Sequence, residues 1–199
     1  MSLQGHPNQP RSCLAPAGLQ FLLRGRHSAS MLYVVAIPQF APPLRAWVDA
    51  ARKAHDPQSP HIGPHVTLLF KAPKGAEARI CERVMEEQAP LALGFGPPRI
   101  NRDWYDGGFY IWLPLIKGED KLRAVHERLL APPLDWMKDK KRPFQPHLTL
   151  GRFELEHSAE DAHKRLPPPP GPLEAAVKLL EVVAVGEDKL TTRLRHALG

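Results

Sequence analysis

The chain is 199 residues long, 43% hydrophobic and 24% charged, with a formal net charge of +6 at pH 7. That composition builds a globular core and excludes a wholly disordered or fibrous chain, and no apolar run approaches the length of a membrane-spanning helix. Two cysteines, Cys13 and Cys81, are too few for a disulfide framework or a zinc ribbon, which points to a reducing, cytoplasmic setting.

Residues 1–30 contain Arg11, Arg24 and Arg26 and no acidic residue, so half of the net charge lies there. The mildly basic remainder suits a phosphate-bearing ligand without requiring nucleic acid. Neither helical nor strand periodicity runs through these thirty residues. Their apolar piece, residues 13–23, is followed rather than preceded by arginines, the wrong order for a signal peptide; an acid-free, arginine-bearing leader also fits a transit peptide. A disordered or weakly ordered extension is expected over 1–30, with Met31 immediately before the first convincing strand.

From Met31 onward, strands and helices alternate. MLYVVAIP (31–38) reads as a buried strand stopped by Pro38. Pro42 and Pro43 suit a helix entry, and Leu44, Trp47, Val48 and Ala51 form its apolar stripe until Pro57. HVTLLF (65–70) is a second strand, and Ala76, Ile80 and Val84 mark a helix to about Gln88. Short strands are expected at 91–95 and 98–102. The same order then recurs: a strand at 109–115, a helix at 119–130, a strand at 147–153 and a helix at 159–166 opened by a Ser158/Asp161 cap pair. Two strands, 177–185 and 190–197, close the chain, and PPPPGP (167–172) is a stiff connector before them. A repeat of about 80 residues implies two lobes about a pseudo-two-fold axis, each an antiparallel sheet with two helices, fused in one α+β domain with the cleft between them.

His65-Val66-Thr67-Leu68 and His147-Leu148-Thr149-Leu150 occupy equivalent places in the two halves. In a strand, residues i and i+2 share a face, so each motif presents an imidazole beside a hydroxyl while its aliphatic residues face the core. With ten histidines and four threonines in the chain, His-x-Thr is expected by chance only about 0.2 times. Histidine titrates near neutrality and serves as acid or base. Two facing imidazoles can deprotonate an attacking oxygen and protonate a departing one, while threonine hydroxyls hold a phosphate between them. No metal or other cofactor is required.

On these motifs the sequence resembles the 2H phosphoesterases, most closely the RNA 2′,3′-cyclic phosphodiesterases historically called 2′-5′ RNA ligases. HVTLLF resembles the family's first motif and PFQPHLTLGRF its second, with a departure at Lys71-Ala72-Pro73, where many relatives continue in a Leu-Gly turn. The resemblance covers most of 31–199. It implies a single bilobal domain there (lobe one about 31–108, lobe two about 109–199) and metal-independent catalysis, with His65, Thr67, His147 and Thr149 as the active constellation.

Tyr33 and Phe144 are candidates to stack on a base. Lys138, Lys140, Lys141 and Arg142 form a basic loop before the second motif that could draw in a polyanion. Arg152 is a candidate phosphate ligand, although strict alternation from His147 puts it on the opposite face. His55, His61 and His65 do not make a zinc site, because Gly63-Pro64 forbids the helix that would align them. The expected function is therefore hydrolysis of 2′,3′-cyclic phosphate ends of RNA or nucleotides, with 2′-5′ ligation as related chemistry, by a monomer away from membranes. Competing readings are a phosphodiesterase acting on 2′,5′-oligoadenylate or a cyclic nucleotide-sugar phosphate, and a non-catalytic nucleotide- or RNA-binding module.

Overall fold

The computed structural model describes residues 31–103, 107–139, 141, 143–186 and 190–199. The element order is β1 (Met31–Phe40), α1 (Pro42–His55), β2 (Val66–Pro73), α2 (Glu77–Met85), β3 (Leu91–Phe95), β4 (Arg99–Arg102), β5 (Phe109–Lys117), α3 (Glu119–Leu129), β6 (His147–Phe153), α4 (Glu156–Arg165), β7 (Glu174–Val185) and β8 (Leu190–Ala197). The repeat is visible in that order: strand, helix, strand, helix and two strands, twice over. The fold is α+β, an antiparallel sheet with four α-helices among the described residues.

Pairing runs in a circuit. β1 lies between β2 and β7; β2 meets β6; β6 pairs with β5; β5 carries β3 and β4 on its other edge; and β3 returns to β7, which also carries β8. The halves 31–108 and 109–199 are thus interleaved. β3 and β4 of the first half pair with β5 of the second, while β7 and β8 of the second extend the sheet of β1.

One face of the circuit builds the core. Leu32, Val34, Ala36, Val66, Leu68, Leu113, Leu148 and Leu150 are buried there against stripes from the helices, including Leu44 and Val48, Ile80 and Val84, and Leu122 and Val125. The helices pack crosswise: α1 covers β6, and α3 covers β2 and β5. Gly151 permits the first of these approaches, since a Cβ there would lie 2.7 Å from His55 Cβ. Gly118 opens α3 at φ +79°, where a side chain would run into the Ala92 carbonyl oxygen. Arg83 satisfies the far end of α3, its guanidinium donating to the carbonyls of Leu129, Ala131 and Pro132.

Several element ends differ from the sequence reading: α2 stops at Met85 rather than near Gln88, β5 runs on to Lys117, β7 starts at Glu174, and three more have a local cause. β1 runs through Pro38 to Phe40, because its pairing with β2 ends at Ala36 and a register irregularity on the β7 side absorbs the proline. β2 continues to Pro73 through an irregular register and Lys71 at φ 57°. α4 starts at Glu156, not at 159. The Ala159 amide donates to the Leu155 carbonyl at 3.3 Å, so Ser158 lies inside the first turn and caps nothing.

Candidate active site

β2 and β6 touch at one bridge, Val66 opposite Leu148. In an antiparallel register this sets His65 across from Thr149 and Thr67 across from His147, all projecting away from the buried Val66 and Leu148. Two imidazole–hydroxyl pairs therefore meet on one face where the halves join. Val35 continues that row beyond Thr67, and Trp112 and Pro114 continue it beyond Thr149 and His147.

Each histidine follows a proline, and each ring is held the same way. His65 Nδ1 donates to the Gly63 carbonyl at 2.9 Å, and His147 Nδ1 to the Gln145 carbonyl at 2.8 Å. A carbonyl can only accept, so the ring proton sits on Nδ1 and Nε2 keeps its lone pair. Both histidines are half-buried. Burial, the largest cause, pushes His65 below the ordinary histidine value; the Gly63 hydrogen bond opposes it, the Arg52 guanidinium adds to it, and the Asp56 carboxylate opposes it. Burial likewise lowers His147 to about 4, with the Gln145 bond opposing, a charged His65 adding and the Asp103 carboxylate opposing.

Arg152 is on the His/Thr face, against the expectation from strict alternation. β5 and β6 pair Ile111 with Gly151 but Trp112 with Thr149, so Leu150 is an extra residue in β6. This bulge reverses the parity of everything after it. Arg152 pairs with Tyr110, two residues from Trp112, and so turns toward the side of Thr149. Its guanidinium lies 5.8 Å from the Tyr110 ring centre, and Tyr110 donates its hydroxyl to Asp103 Oδ2 at 3.1 Å.

The aromatic candidates fare differently. Tyr33 shares the His/Thr face by alternation from Val35, but it is 5% exposed, packed with Val35, Val183 and Val185 and covered edge-on by Phe70 at 5.1 Å. Its hydroxyl is buried without a hydrogen-bond partner and pushed up to about 12. Phe144 packs against the main core with one ring face flat on His126, at 4.1 Å and 7°, which closes that face to a base. The aromatic beside the motifs is Trp112, half-buried with its ring 4.2 Å from that of His147. It was legible as the i+2 partner of Tyr110 in FYIWLPL, but only the β5–β6 register sets it against His147. In the basic loop, Lys138 pairs with Glu127, while Lys140 and Arg142 lie outside the described residues. His55 contacts Phe153 at 5.7 Å, and among the described residues no group of three His, Cys, Asp or Glu side chains could hold a metal ion. Also among the described residues, no helix is long and apolar enough to cross a membrane.

Two His-x-Thr strands, joined by one bridge in a twice-repeated antiparallel fold, define the class. The chain belongs to the 2′-5′ RNA ligase superfamily, the 2H phosphoesterases, whose family model matches residues 40–189. Its fold is similar to that of LigT of E. coli, with a TM-score of 0.57 at 20% identity over 86% of this chain and 99% of that one. LigT complexed with 3′-AMP matches with a TM-score of 0.58 at 19% identity over 85% and 98%. Usb1 of Kluyveromyces marxianus matches with a TM-score of 0.56 at 12% identity over 83% and 98%. No curated protein matches the sequence.

Proposed function

We propose that this chain is a metal-independent phosphodiesterase that opens 2′,3′-cyclic phosphate ends of RNA or nucleotides. The observation that carries the reading is the pair of imidazoles, each with Nδ1 tied to a backbone carbonyl and Nε2 left to act, flanking two threonine hydroxyls. With the cyclic phosphate seated between the motifs, one neutral imidazole takes a proton from water as its oxygen attacks phosphorus. The other, as imidazolium, protonates the departing ribose oxygen, giving a phosphomonoester. Thr67 and Thr149 donate to the non-bridging oxygens, and Arg152 on the same face adds a cation to the developing charge. Trp112, against His147, offers the neighbouring apolar surface to the nucleoside, in place of Tyr33 and Phe144. A ribose hydroxyl in place of water runs the same chemistry toward a 2′-5′ linkage. That relatives have been solved with 3′-AMP and with uridine monophosphate supports a nucleotide in this cleft. We place the protein in the cytoplasm, acting as a monomer.

The test is conversion of 2′,3′-cyclic AMP and of a cyclic-ended oligonucleotide, followed by phosphorus NMR with 3′-AMP binding measured alongside. Ring opening to a monoester that survives exhaustive EDTA is the expected result. Binding of 3′-AMP with no turnover of either substrate would instead favour the non-catalytic module.

A further inference from the structure

Beside His65 the chain forms a cavity of about 430 Å³, lined by Arg45, Asp49, Arg52 and Lys53 of α1 and by Ser59, Pro60, Gly63 and Pro64. Gly63, whose carbonyl orients the His65 ring, is part of its wall. The charges there are not evenly matched. Arg45 is paired with Asp49 at 2.7 Å, and Arg52 with Asp56 at 2.7 Å. Among the described residues Lys53 has no ion pair, so the cavity keeps one uncompensated cation.

Arg52 is 3% exposed, an arginine taken out of water at the cavity wall. Its Nε and Nη2 both donate to Asp56 Oδ2, at 2.9 and 2.7 Å, which leaves Nη1 without a hydrogen-bond partner among the described residues. Nη1 is not buried: it still reaches solvent at the cavity wall and so is free to donate to an acceptor there. Asp56 itself is committed, its Oδ1 accepting from the Gln58 amide at 2.9 Å. The group that would satisfy Arg52 Nη1, the Lys53 ammonium and the Ser59 hydroxyl together is an oxyanion, and an arginine fork beside a lysine suits phosphate above other anions. Arg52 also acts electrostatically on His65, which places the cavity at the rim of the cleft rather than on a remote surface.

We propose that this cavity is a second phosphate subsite, which takes the internucleotide phosphate next to the one held between His65 and His147, making the substrate an RNA chain rather than a mononucleotide. The proposal rests on the functional reading above. It gives a reason for Lys53 to stand unpaired beside two internal ion pairs.

The experiment uses product-type ligands that are not turned over, a nucleoside 3′-monophosphate and a 3′-phosphorylated trinucleotide, titrated calorimetrically into the full chain. The wild type should bind the trinucleotide about tenfold more tightly than the mononucleotide. Lys53→Ala, at an exposed position that leaves the core intact, should remove most of that advantage and change mononucleotide affinity less than about twofold. The slope of log affinity against log salt for the trinucleotide should fall by about 0.7, the size of one lost contact to a single strand. Lys53→Arg should restore both. Equal affinity of wild type for the two ligands, or an equal loss on both in Lys53→Ala, overturns the subsite while leaving the proposed activity standing. Absence of binding by either ligand overturns both. Inorganic phosphate, titrated with the cleft saturated by the mononucleotide, separates the sources. If Lys53→Ala weakens only that binding and not the trinucleotide's, the cavity serves free phosphate and the RNA subsite is wrong.

Discussion

At the scale of single residues, the site depends on two imidazoles made hard to charge. Burial lowers both His65 and His147, and an unfolded histidine titrates near 6.5. As pH falls below about 6.5, the unfolded chain takes up protons that the folded one refuses until about 4 at His147. The unfolded state therefore binds more protons across that window, and stability falls as pH falls through it. Denaturant titrations at steps from pH 7 to 4 should show the loss, and His147→Gln should flatten it. An equal slope in the variant would mean that His147 is not the group responsible. The proposed acid–base catalysis needs one proton on the pair, so kcat/KM, which reports the free enzyme, should be bell-shaped with its optimum on the acid side of 6.5. The kcat optimum should sit higher, because a bound phosphate anion between the rings favours the imidazolium. A flat kcat/KM from pH 5 to 8 would contradict acid–base work by these two rings.

At the scale of elements, strand parity decides which side chains reach the substrate. The His-x-Thr pairs were legible because alternation within five residues is local, and Pro64 and Pro146 announced the strand starts. Arg152 was a candidate phosphate ligand in the sequence, but strict alternation carried across Leu150 put it on the far face, and a bulge is a property of the β5–β6 register rather than of either strand's own pattern. Trp112 stayed hidden for the same reason. The Ser158 cap failed because a helix begins where its backbone bonds begin, and the first of these runs from the Ala159 amide to the Leu155 carbonyl. Two substitutions test this level. Arg152→Ala should lower kcat/KM on a cyclic phosphate by about 10- to 100-fold with Arg152→Lys recovering part of it, as for a charge aimed at the developing oxyanion; unchanged kinetics would remove Arg152 from the site. Gly151→Ala forces a methyl to within 2.7 Å of His55 Cβ and should cost about 1–3 kcal/mol by thermal or denaturant unfolding, since α1 must lift from β6. Wild-type stability there would show that the helix–strand contact is slack.

At the scale of the whole molecule, the repeat was readable and the exchange of strands between repeats was not. Element order follows from local periodicity. β4 meets β5 locally, but the pairing of β7 with β1 and with β3 joins segments as far apart as Met31 and Val185 or Leu91 and Val177, for which a single sequence carries no signal. The exchange has a functional consequence, because the two motifs are brought together only when both halves fold, with α1 on β6 and α3 on β2. Because residues 1–30 carry neither helical nor strand periodicity and Met31 opens β1, a protein beginning at Met31 should unfold within about 1 kcal/mol of the full chain and keep its turnover. A larger loss would assign residues 1–30 a packing role.

If the two His-x-Thr strands form one acid–base site, single-turnover ring opening of a 2′,3′-cyclic nucleotide by His65→Ala, His147→Ala and the double variant will show it in the chemical step itself. Each single replacement should slow the chemical step by about 10²–10⁴. The double variant should be little slower than either, since groups acting as a unit are not additive, and 3′-AMP should still bind through Thr67, Thr149 and Arg152. A His147→Ala protein that turns over at nearly the wild-type rate, or a double variant whose loss is the product of the two single losses, would contradict the account.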